Sequence, residues 1–70
     1  MKMYYVRSPG GRFWWMEERI LPVEATFEND KLKLSVRFLN GGYMFSVDRN
    51  AVGQSVFTSR SEALAALLLS

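Results

Sequence analysis

Between Lys31 and Asp48 the chain reads KLKLSVRFLNGGYMFSVD, and Leu32, Leu34, Val36 and Phe38 alternate with Lys33, Ser35 and Arg37. A period of two places the apolar set on one face of a strand and the polar set on the other. Asn40-Gly41 follows as the strongest two-residue turn signal in the chain, because tight hairpin turns need residues that tolerate φ > 0. That turn sets Phe38 opposite Tyr43, Val36 opposite Phe45 and Leu34 opposite Val47, so apolar meets apolar. On the reverse face Arg37 meets Met44, Ser35 meets Ser46, and Lys33 meets Asp48, an opposite-charge pair of the kind worth roughly 0.2–1 kcal/mol. A Gly41-Gly42 turn keeps the same faces, whereas a three-residue loop mixes them.

Upstream, Val23, Ala25 and Phe27 alternate with Glu24, Thr26 and Glu28, and Asn29-Asp30 supplies a second two-residue turn. Glu28 then faces Lys31, Phe27 faces Leu32, Ala25 faces Leu34 and Val23 faces Val36. Residues 23–48 thus form a three-stranded meander with a core side of Val23, Ala25, Phe27, Leu32, Leu34, Val36, Phe38, Tyr43, Phe45 and Val47. Before it, Met3 to Arg7 is β-prone, Ser8-Pro9-Gly10-Gly11 has type II turn chemistry, and Arg12-Phe13-Trp14-Trp15-Met16 resumes as an aromatic strand. A first hairpin from Met3 to about Glu18, with Arg7 opposite Arg12, has bulk on both faces: Tyr5, Trp14 and Met16 on one, Tyr4, Val6, Phe13 and Trp15 on the other. One of those faces leaves large aromatics in water, flanked by Arg7 and Arg12. Arg19 to Pro22 reads as a bend, since Pro22 cannot donate to a central ladder.

After the polar connection Arg49 to Gln54 and Ser55-Val56-Phe57, which reads either as a last short strand or only as an entry into the helix, Ser59-Arg60-Ser61-Glu62 has the spacing of a capping box. The helix it opens, Arg60 to Leu69, is too short to persist alone. It is expected to dock on the apolar face of the meander through Leu64, Leu67 and Leu68. Ala65 and Leu69 fall elsewhere around its axis, and a helix apolar on nearly all sides is sunk between layers or shared with a second copy. The pattern predicts an α+β fold: an antiparallel β-sheet meander of four to six strands packed by one C-terminal α-helix, in a single domain over residues 1–70, with a homodimer as an added expectation.

Composition narrows the chemistry. Residues 70 in number, 49% hydrophobic and 14% aromatic, describe a globular chain of small core. With no cysteine and no histidine, neither disulfides, zinc sites nor the usual nucleophile–base pairs are available. Glu24 and Glu28 share a strand face but lie about 13 Å apart at strand rise, too far to act on one bond. The expectation is a protein that is not an enzyme and takes no cofactor and no metal. The apolar run Ala63 to Leu69 falls far short of the ~20 residues of a membrane span, and MKMYYVR carries too short an apolar stretch for a signal peptide. Both favour a cytoplasmic location.

The formal net charge of +2 is unevenly spread. Lys2, Arg7 and Arg12 make the first stretch basic, Glu17, Glu18, Glu24, Glu28 and Asp30 make the next acidic, and Lys31, Lys33, Arg37 and Arg49 restore a basic one. No block reaches the five or six like charges of an interaction tail, so these residues read first as a solvated, self-neutralising face. An acidic surface imitating DNA is excluded.

Gly42-Tyr43-Met44-Phe45-Ser46-Val47 resembles the glycine and alternating-aromatic pattern of RNA-recognition-motif and cold-shock strands, whose exposed aromatics stack on bases. It departs where the leading basic residue is replaced by Asn40 or Gly41 and where Met44 stands for a small residue, and pairing turns Tyr43 and Phe45 to the core. The better stacking surface is Tyr5 and Trp14 edged by Arg7 and Arg12, a composition that equally describes a protein–protein contact centre. In size and build the chain resembles the small proteins of phages and mobile elements, including anti-CRISPR inhibitors. That resemblance implies a protein that binds a host complex and blocks it without a cofactor; the positive charge departs from the acidic members. The leading expectation is therefore a non-enzymatic protein-binding module using Tyr5, Arg7, Arg12 and Trp14, and the second is a single-stranded nucleic-acid-binding module using the same residues.

Overall fold

The computed structural model describes residues 1–39 and 41–69. The strands are β1 (Lys2–Val6), β2 (Ile20–Glu28), β3 (Lys31–Phe38), β4 (Gly41–Asp48) and β5 (Val56–Phe57); a 3₁₀ turn (Arg49–Ala51) precedes β5, and α1 (Arg60–Leu69) follows it. They form one open antiparallel sheet in the order β4-β3-β2-β1-β5, an α+β fold with a C-terminal helix.

The β2–β3 hairpin has the register its pattern dictates: Glu28 faces Lys31, Phe27 faces Leu32 and Ala25 faces Leu34. Asn29 takes φ 58° at the turn, a conformation that asparagine tolerates better than most residues. The β3–β4 hairpin keeps the expected faces with a register displaced by two. Phe38 pairs with Gly41, Val36 with Tyr43, Leu34 with Phe45 and Leu32 with Val47, and Lys31 rather than Lys33 meets Asp48, at 2.9 Å. Of the expected Asn40-Gly41 turn, Asn40 lies outside the described residues and Gly41 belongs to the strand. The glycines are needed there: Gly41 has φ +138°, and a Cβ on Gly42 would meet the Val36 carbonyl oxygen at 3.1 Å.

The expected first hairpin is not formed. β1 pairs instead with the start of β2, Tyr5 facing Leu21 and Tyr4 facing Pro22, and residues 7–19 become a long connection. Pro22 is accommodated inside β2 because of the antiparallel alternation. Ala25 N–H donates to the Met1 carbonyl at 2.7 Å and Arg7 N–H to the Arg19 carbonyl at 2.9 Å, which places Tyr4 and Pro22 in a slot without mutual hydrogen bonds. The Pro22 nitrogen therefore points toward β3, beyond Glu24–Ser35, where the β2–β3 pairing has ended.

Two apolar clusters lie on opposite faces. The front one joins Met3, Leu21, Val23, Ala25, Leu32, Leu34, Val36, Phe45 and Val56 to Phe13 from the 7–19 connection. The back one joins Ile20, Phe57 and Ala63, with Tyr4, Val6, Ala66 and Leu67 against them. The helix thus packs over β1, β5 and β2 on the back, not on the apolar face of the meander, which the 7–19 connection covers instead. Its inward residues are Ala63, Ala66 and Leu67, while Leu64, Leu68 and Leu69 are exposed. The small alanines allow close approach of helix to sheet. Phe27, expected in the core, is exposed under the Arg49 guanidinium, 4.4 Å from its ring centroid.

Candidate functional site

The 7–19 connection is built around two inward side chains. Phe13, 1% exposed, takes φ 62°, a left-handed backbone that costs a bulky residue roughly 1–2 kcal/mol. Its ring offsets that cost as the hub of an edge-to-face cluster with Tyr5, Trp15, Phe38, Tyr43 and Phe45 at centroid distances of 5.6–6.2 Å. Arg7, 6% exposed, holds the other end. Its Nε donates to the Glu18 carbonyl at 2.8 Å, its Nη2 to the carbonyls of Met16 and Glu17, and its Nη1 to that of Ser8. Arg19 Nε in turn donates to the Arg7 carbonyl at 3.0 Å.

With Phe13 turned inward, its neighbours are forced outward. Trp14 and Trp15 stand 66% and 60% exposed, nearly perpendicular, with centroids 6.1 Å apart. Arg12 lies across the front of β4, its guanidinium 4.4 Å from the Phe45 centroid, and its Nη1 donates to the Tyr43 hydroxyl at 3.1 Å. Between the connection and the β3–β4 hairpin opens a cleft of about 310 Å³. Phe13 is its floor, Trp14 and Trp15 one wall, and Phe38, Gly42 and Tyr43 the other, with Arg12 at the rim. Among the described residues its lining is one cation and six apolar or aromatic residues, with no carboxylate. A larger depression of about 550 Å³ on the back of the sheet is lined by Lys2, Glu24, Ser35 and Arg37 among others, where the charges alternate in sign.

The four residues expected to form one exposed surface are separated. Arg12 and Trp14 are on the cleft. Tyr5 is half-buried in the front cluster, edge-on to Phe45 at 5.2 Å, and Arg7 is spent on backbone carbonyls, so neither edges an open aromatic surface. Trp15, Phe38 and Tyr43 take their place. The repeated tryptophan was the available signal for Trp15, since two adjacent indoles cannot both enter so small a core. Tyr43 lies on the core side as its alternation requires, but near the end of an edge strand, where it stays 44% exposed.

Among the described residues no helix is long and apolar enough to cross a membrane, and no three acidic residues gather as a metal cage. Family models, curated proteins and solved structures yield no match to the chain.

Proposed function

We propose that this chain is a non-enzymatic protein-binding module whose contact surface is the cleft of Arg12, Trp14, Trp15 and Tyr43. The observation that carries the reading is the pair of exposed indoles fixed by Phe13 and Arg7. Rigid aromatics lose little conformational freedom on binding and dominate the energetics of protein contacts. The resemblance to phage-encoded inhibitors makes a host complex of the CRISPR type, in the cytoplasm, the first partner to try, and blocking it the expected effect. Partners captured from cell extract would be purified and titrated against the parent and Trp14→Ala. The expected result is binding weaker by about 2 kcal/mol or more, with a melting temperature close to the parent's. Parent-like affinity for both Trp14→Ala and Trp15→Ala overturns the reading.

The same cleft and one other surface support further readings. The neighbouring indoles and Arg12 also suit a single-stranded nucleic acid, bound by stacking. With Arg7 buried, Arg12 is the cleft's one cation, so salt dependence near 0.7 per phosphate contact is expected for that ligand. A homodimer would use Leu64, Leu68 and Leu69 on the outer side of α1, and Leu69→Glu would then convert a dimeric mass in light scattering to a monomeric one.

A further inference from the structure

β4 is an edge strand without the usual defences. Its eight residues pair with β3 in unbroken register from Lys31–Asp48 to Phe38–Gly41, with no proline and no bulge. Natural edges of this length are blunted by lysine, proline or a bulge, or covered by another element. The other edge, β5, is only two residues long.

The alternation of the ladder fixes which groups of β4 are open. Ala25 bonds to Met1 across β1, so the main-chain groups of Glu24 face β3, those of Ser35 face β2, and those of Leu34 and Val36 face β4. Tyr43 and Phe45 therefore bond inward, and the N–H and C=O groups of Gly42, Met44 and Ser46 point off the sheet. The side chains along this open row are a hydrogen, a thioether and a hydroxymethyl group, and the row ends at Asp48, whose carboxylate is held by Lys31 at 2.9 Å.

Charge specifies the occupant. On the front, Arg12 stands over Tyr43 and Phe45. On the back, Arg37 is the cross-strand neighbour of Gly42, which has no side chain to screen it. Among the described residues neither arginine has a carboxylate partner. A second copy pairing through β4 about a two-fold would bring Arg12 of each chain over neighbouring strands about 4.8 Å apart, on the same face, like charge against like. An acidic segment meets these arginines favourably.

We propose that β4 captures an extended, acidic segment of a partner protein as a sixth strand. The inference rests on the reading of the aromatic cleft as a protein-binding surface and deepens it. The added strand bonds to Gly42, Met44 and Ser46 through its main chain. Its front-facing side chains enter the cleft between Trp15 and Tyr43, and its carboxylates meet Arg12 on the front and Arg37 on the back.

The test uses a displayed library of random peptides selected on the parent protein. Enriched peptides are expected to lack proline, to alternate acidic with apolar residues, and to slow exchange of the Met44 and Ser46 amides at least tenfold while leaving Phe45 unchanged. Ser46→Pro removes an outward donor only, a position where edge strands accept proline; it should weaken these peptides at least tenfold. Arg12→Glu with Arg37→Glu should shift the selection toward basic peptides. Peptides that lose affinity for Trp14→Ala yet leave the outward amides unprotected overturn strand addition while keeping the cleft. Unchanged charge preference in the double arginine variant overturns the acidic occupant. A parent that is dimeric and becomes monomeric on Ser46→Pro assigns the edge to a second copy and overturns the proposal. Failure to enrich any peptide overturns strand addition, while the cleft stands or falls with the Trp14→Ala and Trp15→Ala titrations.

Discussion

Arg7 is a buried cation met by carbonyl oxygens in place of a carboxylate. A planar guanidinium suits that task because its donors fan out in one plane; three of the four carbonyls come from the far end of the 7–19 connection and the fourth from Ser8, next to Arg7. Arg7→Met preserves much of the volume and leaves the carbonyls without donors. A loss of about 2 kcal/mol is expected from their desolvation, or roughly 8–16 °C in melting temperature for a domain this small. Thermal unfolding checks it, and Arg7→Lys should recover only part of the loss. Nothing in the order of residues announces this role: an arginine after a β-prone run reads as a surface charge, and its burial depends on a loop that has no periodicity. Phe13 is equally silent, since a left-handed aromatic is adopted only because the surrounding rings over-determine it.

The elements differ in how far they can be read. Residues 23–48 follow from alternation because each strand there has one dry face and joins the next through two residues, whereas Ile20 to Pro22, expected as part of a bend, extends β2. The displaced β3–β4 register shows the limit: faces survive a shift of two, and Gly41-Gly42, which look like turn residues, serve as strand residues where a Cβ has no room. Residues 12–16 mislead because an aromatic run satisfies strand propensity without alternating. The start of α1 is legible from its Ser-x-x-Glu spacing, with the Thr58 hydroxyl an addition that the spacing does not announce. Ser59 Oγ accepts the Glu62 N–H at 3.2 Å, and the Glu62 carboxylate accepts the hydroxyls of Thr58 at 2.8 Å and Ser59 at 3.1 Å. Those bonds, Thr58 first, hold the Glu62 carboxyl below its usual value of 4.5. A depressed folded-state value means that the contribution is complete above the unfolded value and is lost as pH falls through the folded one. The stability difference between the parent and Glu62→Gln should accordingly shrink as pH is lowered from neutrality through the carboxylate range. Ser59→Ala should cost about 1 kcal/mol at neutral pH, read by thermal unfolding.

The two apolar clusters meet at β1, whose Met3 and Tyr5 serve the front and whose Tyr4 and Val6 serve the back. This strand, more than the β3–β4 hairpin, joins the layers. Its two neighbours are unequal in sequence distance: β2 is reached through the 7–19 connection, whereas Tyr4 pairs with Phe57 across most of the chain. Closing so long a loop is entropically unfavourable until other contacts are in place. Phe57→Leu, expected to cost about 1 kcal/mol, should therefore act on the unfolding rate and leave the folding rate near the parent's. A Leu32→Val change in the local hairpin should slow folding. Stopped-flow chevrons of both variants make the comparison, and a folding rate that falls with Phe57→Leu would place β5 in the nucleus.

The position of β1 between β2 and β5 also bears on synthesis. β1 leaves the ribosome before every other strand described, yet its second flank stays bare until β5 has been made, and Tyr4 and Val6 stay uncovered until α1 arrives. A nascent chain halted before Val56 carries an open strand edge beside an exposed apolar strip, the combination that drives aggregation of folding intermediates. α1 thus acts as the cover for a strand made well before it.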